Sequence, residues 1–245
     1  MRVKLTLSYD GTNYSGWQVQ PNGVKTVQEV LENALYEITG ENIRVIGSGR
    51  TDAGVHAEGQ VVHFERQKEN IPPERFARAL NTLLPPDIKV HSSERVADDF
   101  NARGSAKRKK YRYQFYISPT PRPLKERYFT QLEKQPDLQK MIKAKELFIG
   151  EHDFKAFCAS GSEVKSTTRK IFDFEVEQTG MDLIFTVCGN GFLYNMVRIM
   201  VGTLLAVGQG RMTEEDIKRM LESGQRAYGV KTISAKGLFL ERVDY

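Results

Sequence analysis

The hydrophobic period of this chain switches between that of a strand and that of a helix in nearly the same order twice, and this order constrains its fold more than any other feature. Val3, Leu5, Leu7 and Tyr9 alternate with Lys4, Thr6 and Ser8, which predicts a strand with one buried face. Thr26 followed by Glu29 reads as a capping box, after which Val27, Val30, Leu31, Ala34, Leu35 and Ile38 keep helical spacing until Gly40. Short β-rich runs at 43–47 and 60–65 flank a glycine-rich loop. Pro72 and Pro73 open a helix through Phe76, Ala79, Leu80 and Leu83, Pro85 and Pro86 close it, and a strand is expected over 88–96. The order is βαββαβ.

After a polar connector at 98–106 comparable patterning returns. A strand is expected over 111–117, a helix over 137–149, and strands over 169–177 and 183–188. A strongly apolar helix through Met196, Val197, Met200, Val201, Leu204 and Leu205 follows, then a short capped helix from Thr213 and a last strand over 237–243. We read an α+β fold of two ferredoxin-like βαββαβ halves, 1–105 and 106–245, whose mainly antiparallel sheets join into one extended sheet. Helices then cover one face and leave the other for a ligand. A single irregular α+β domain predicts the same local elements and stands beside this reading.

A chain of 245 residues, 40% of them hydrophobic, can bury one large or two modest cores. It lacks the ~20 uninterrupted apolar residues of a membrane helix, and its start alternates instead of showing a charged-then-apolar leader, so a cytoplasmic location away from membranes is expected. Cys158 and Cys188 lie outside any C-x-x-C spacing and are expected to be buried thiols. The net charge of +5 matters only if it is concentrated. Arg103, Lys107, Arg108, Lys109, Lys110, Arg112, Arg122, Lys125 and Arg127 concentrate it, with Glu126 the one acid between Arg103 and Arg127.

The loop at 47–59 reads GSGRTDAGVHAEG, with Asp52 the one carboxylate at its centre. A dinucleotide or Walker loop is disfavoured: the G-x-G-x-x-G pattern fails at Asp52, no G-K-[ST] follows, and a strand stands where a helix N-terminus is needed. A metal site of Asp52, His56 and His63 lacks a completing neighbour, so no metal is expected. A tight structural turn with Asp52 paired to Arg50 explains the loop equally well from composition alone.

The string GRTDAGVHA closely resembles the catalytic motif of TruA-type tRNA pseudouridine synthases. The resemblance continues through YDGTNYSGWQ, TVQEVLE, GQVVHF, DDFNARGSAKRKKYRY, GFLYNMVR and AKGLFLERVDY, and covers nearly the whole chain. It implies that Asp52 is the catalytic aspartate, Arg198 the arginine paired with it, and Arg50 the arginine associated with flipping the base. Tyr111 corresponds to the tyrosine that stacks on the target base and Leu238 to a leucine of the pocket wall. It also implies isomerisation of uridines in the anticodon stem-loop of tRNA by a homodimer, with an RNA-binding cleft on the open sheet face.

The chemistry suits these residue types. Uridine and pseudouridine are isomers, so no cofactor is expected, and a carboxylate kept ionised by a cation can act as nucleophile or base. A stacked uridine must leave its helix to reach that carboxylate, at a cost of a few kcal/mol, and needs an aromatic wall to receive it. Tyr111, Tyr113 and Phe115 share one strand face, which taken alone favours three core aromatics. The four-residue basic run Lys107, Arg108, Lys109 and Lys110 entering that strand is the interleaving expected for phosphate contact beside base stacking, although a solvated charge run reads the same way. Arg198, alone on an apolar helix, has the equally simple reading of an arginine that binds carbonyls or extends to solvent. A non-catalytic RNA-binding protein is the alternative from another class; a metal hydrolase is a further one.

Overall fold

The structure is a computed structural model that describes residues 1–68, 70–161 and 164–245. It divides into two compact units, Met1–Lys107 with Phe239–Tyr245, and Arg108–Leu238.

In the first unit, β1 (Arg2–Tyr9) buries Val3, Leu5, Leu7 and Tyr9, as its alternation predicts. Thr26 accepts the Glu29 N–H at 3.3 Å to start α1 (Val27–Thr39), and Gly40 ends it at φ 68°. β2 (Ile46–Gly47) is shorter than expected, whereas β3 (His56–Glu65) begins four residues earlier than its hydrophobic run. α2 (Phe76–Asn81) and β4 (Ile88–Val96) follow a 3₁₀ turn at Pro73–Arg75. β1 pairs antiparallel with both β3 and β4, and β2 adds to β3. The last strand of the chain, β10 (Leu238–Asp244), runs parallel to β3 with Phe239 opposite His56 and Leu240 opposite Ala57.

The second unit is built on β5 (Arg108–Ile117), which pairs antiparallel with β9 (Asp182–Gly189), itself antiparallel to β8 (Thr168–Thr179). Two elements absent from the sequence reading interrupt the expected order: β6 (Thr130–Leu132), parallel to β5, and β7 (Gly150–Asp153), an antiparallel partner of β8. Both are too short and too polar to carry a period. α3 (Leu138–Lys145) precedes β7, and α4 (Met196–Gly208) and α5 (Glu214–Ser223) follow β9. Every residue of α4 is buried except Arg198. The fold is thus α+β with mainly antiparallel strands.

Cys158 and Cys188 are half-buried thiols and not the buried ones expected. Ser162 and Glu163 lie outside the described residues. Among the described residues no helix is long and apolar enough to cross a membrane.

Candidate active site

The glycine-rich loop of the first unit is anchored on several sides. Tyr9, at the end of β1, puts its hydroxyl 2.8 Å from Thr51 Oγ1, and the Gln60 amide donates to Gly49 O at 3.0 Å and to Tyr9 Oη at 3.5 Å. Ser48 Oγ donates to Gln60 Oε1 at 2.7 Å, and the Ser48 N–H donates to Val61 O at 2.7 Å. All of these side chains are buried, and burial pushes the Tyr9 phenol pKa upward, so the group is a neutral hydroxyl. From the other side the Trp17 N–H donates to Thr51 O at 3.0 Å, and the Val55 N–H closes a turn on Asp52 O at 3.1 Å.

Close backbone approach makes two glycines obligatory. A Cβ on Gly11 would lie 2.0 Å from Val55 O, and one on Gly16, already at φ 88°, would lie 2.7 Å from Thr51 O. β3 also bulges here: Leu7 pairs with Gln60, but Tyr9 pairs with Ala57, so the strand gains a residue beside the loop. Trp17 is buried in this support, its ring stacked at 6.0 Å on Tyr9. Above it Asp52 is half-buried and Arg50 exposed.

The histidines weighed as metal ligands have other partners. His56 Nδ1 accepts the Gly11 N–H at 3.0 Å, lies 3.1 Å from Asp10 Oδ1, and its ring stacks 4.7 Å from Phe239. His63 Nδ1 accepts the Ala102 N–H at 3.0 Å. Among the described residues no three His, Cys, Asp or Glu side chains gather as a metal site.

The second unit holds Tyr111, Arg198, Leu238, Arg108, Lys109 and Lys110. Tyr113 and Phe115 are fully buried, and Tyr113 Oη binds Thr130 Oγ1 at 2.8 Å and Ser234 O at 2.7 Å. Tyr111 is 7% exposed, its ring edge-to-face with Phe192 at 5.0 Å. Leu238 is buried. Arg198 donates from Nε to Ile233 O at 2.7 Å and from Nη1 to Asn195 Oδ1 at 2.6 Å, so Arg198 and Tyr113 hold adjacent carbonyls of one segment. Neither Asn195 nor the hydroxyl of Tyr113 was signalled by the sequence reading. A polar residue one turn before an arginine on an apolar helix was the available clue.

The basic stretch is less uniform than its letters. The Arg108 guanidinium lies 5.0 Å over the Phe172 ring, Lys109 and Lys110 are half-buried, and Lys125 reaches both Asp182 oxygens at 2.5 and 2.6 Å. Lys125 is therefore neutralised locally and drops out of the expected positive patch.

A family model described as tRNA pseudouridine synthase matches residues 6–103 and 144–245. Curated relatives match along their whole length. A tRNA pseudouridine synthase A of Ruminiclostridium cellulolyticum is 46% identical over 100% of this chain and 99% of its own. Proteins of the same name from Exiguobacterium sp. and Bacillus licheniformis are each 45% identical over 100% of this chain and 98% and 99% of theirs, respectively. Among solved structures, a chain of a Cbf5-Nop10-Gar1 complex is 17% identical with a TM-score of 0.37, over 95% of this chain and 59% of its own.

Proposed function

The chain belongs to the tRNA pseudouridine synthase family and is an isomerase acting on tRNA, and we propose that it converts uridines of the anticodon stem-loop to pseudouridine with Asp52 as the catalytic carboxylate. The reaction breaks the bond from uracil N1 to ribose C1′ and joins C5 to C1′, while C5 gives up a proton and N1 gains one. Nothing is oxidised and no outside atom enters. A single anchored carboxylate at the sugar serves any of three routes: attack at C1′, addition at C6, or removal of the C2′ proton.

The observation that carries this reading is the asymmetry of the loop. Its backbone is tied down through Ser48, Gly49, Thr51 and Val55, yet Asp52 itself is only half-buried. A turn that serves only stability has no need to support a half-exposed carboxylate so heavily. Such support fixes the attacking group before substrate arrives, which is where positioning contributes to rate.

In this reading Arg198 supplies the positive charge that keeps Asp52 ionised, and Arg50, exposed on the same loop as Asp52, takes the place of the departing base in the stem. Tyr111 receives the extruded base with a ring already braced by Phe192, so little side-chain entropy is lost on stacking, and Leu238 forms part of the wall. Arg108, Lys109 and Lys110 meet phosphates, and the working form is a cytoplasmic homodimer bound to tRNA.

The test is incubation of unmodified tRNA with the purified protein in EDTA, followed by mapping of each C-glycoside. The expected result is pseudouridine confined to the anticodon stem-loop and indifferent to the chelator. Product elsewhere in the tRNA would refute the assigned substrate, and binding without product would favour an RNA-binding protein without catalysis.

A further inference from the structure

Asn195 is the one residue other than glycine with positive φ among the described residues, at φ 59° and ψ 7°, and it stands at the N-cap of α4. An asparagine there ordinarily adopts an extended backbone and turns its side chain back to an N–H of the first turn. This one does neither. Its side chain makes no capping bond, and Oδ1 instead accepts from Arg198 Nη1 at 2.6 Å. The left-handed backbone turns the amide away from the helix end and toward the guanidinium one turn on.

The second anchor of Arg198 depends on Gly202, which follows it by one turn on the same helix face. A Cβ on Gly202 would lie 2.7 Å from Lys231 O and 3.1 Å from Ile233 Cγ2, so its absence lets the 231–233 segment close onto α4 and present the Ile233 carbonyl to Arg198 Nε at 2.7 Å. Both acceptors are neutral. They fix the plane of the guanidinium while leaving its unit charge uncancelled by either of them, which is the state required of a cation that must act on a carboxylate.

We propose that Asn195 is a positioning residue for the isomerisation, holding the Arg198 guanidinium in direction without neutralising it. The proposal rests on the reading of Arg198 as the partner of Asp52. The acceptor must be an amide and not a carboxylate for the arrangement to work, because a carboxylate at the same place would compete for the charge.

That distinction supplies the test. Asn195→Gly, Asn195→Asp and Arg198→Gln are compared with the wild type for single-turnover pseudouridine formation, tRNA Kd and Tm. Glycine adopts the left-handed conformation and removes only the amide; its rate is expected to fall about ten- to a hundredfold with Kd within about twofold. Aspartate keeps an acceptor in place, tolerates the backbone, and suits a helix N-terminus. A purely structural role therefore predicts an Asn195→Asp variant at least as stable and as fast as the wild type. The positioning role predicts unchanged or raised Tm with a rate as low as that of the glycine variant, or lower. Should the glycine variant not fold, the aspartate variant decides by itself.

Rates for both Asn195 variants within about twofold of wild type, with Arg198→Gln inactive, would overturn the proposal and leave the role of Arg198 standing. Loss of rate that merely follows loss of Tm and of tRNA binding would also overturn it. A fully active Arg198→Gln would remove the proposal together with the reading beneath it.

Discussion

Thr51 precedes the proposed catalytic carboxylate and is held at two ends, its hydroxyl by Tyr9 at 2.8 Å and its carbonyl by the Trp17 N–H at 3.0 Å. Removing the hydroxyl in Thr51→Val leaves the buried Tyr9 hydroxyl with Gln60 at 3.5 Å, a weak contact. The expected stability cost is about 1–2 kcal/mol, with kcat down about tenfold and tRNA Kd nearly unchanged, as measured by urea unfolding and single-turnover assay. Unaltered kcat would mean that the hydroxyl stabilises the loop without aiming Asp52. The motif around Asp52 was legible because it occupies nine consecutive letters. Its supports were not, since alternation along β1 shows that Tyr9 faces inward but cannot show that its hydroxyl meets a residue far along the chain. The same holds for His91, whose partner, Ser8 Oγ at 2.8 Å, lies on another strand far back in the chain.

α4 shows what a helix can and cannot announce. Its apolar run marks a helix buried on all sides, and the structure buries every residue but Arg198. Periodicity could not say why Arg198 is retained there, because an arginine bound to carbonyls and an arginine acting on a carboxylate have the same spacing. The structure shows the first of these directly in the bond to Ile233 O. The two readings are thus compatible in one side chain. Gly202 tests the element as a whole: Gly202→Ala places a methyl 2.7 Å from Lys231 O, and the 231–233 segment must move away from α4. We expect a lower Tm by differential scanning fluorimetry, by several degrees for a cost of about 1–3 kcal/mol, and a kcat that falls more than overpacking alone requires. A variant that loses stability but keeps full kcat would show that the 231–233 segment does not orient Arg198. β6 and β7 escaped prediction for the opposite reason: three and four residues hold no period, and only pairing with β5 and β8 makes them strands.

For the whole molecule, the α+β class followed from the sequence because each long element carries its own period, while sheet membership did not. β10 follows the second unit in the chain yet runs parallel to β3, and Gly59 permits that approach, since a Cβ there would lie 2.5 Å from Glu241 O. Global stability has a predictable acid limb. Burial, reinforced by the Arg2 charge, holds the His63 imidazole below the usual histidine range. As pH falls the unfolded chain therefore takes up this proton first, near its ordinary pKa of about 6.5, so stability is complete above that pH and declines as pH drops through it toward the lower folded value. His63→Asn puts an amide oxygen at the Nδ1 position that accepts the Ala102 N–H and should flatten the fall in urea midpoint between about pH 7.5 and 5.5. Parallel pH profiles for the two proteins would assign the acid limb to other groups.

The most direct test of the account is single-turnover conversion of unmodified tRNA by Asp52→Asn, a change of one atom that removes the charge and keeps the side chain's shape. The account predicts no detectable pseudouridine, with tRNA Kd within about threefold of wild type and Tm unchanged. Pseudouridine formed at the wild-type rate by that variant would contradict it.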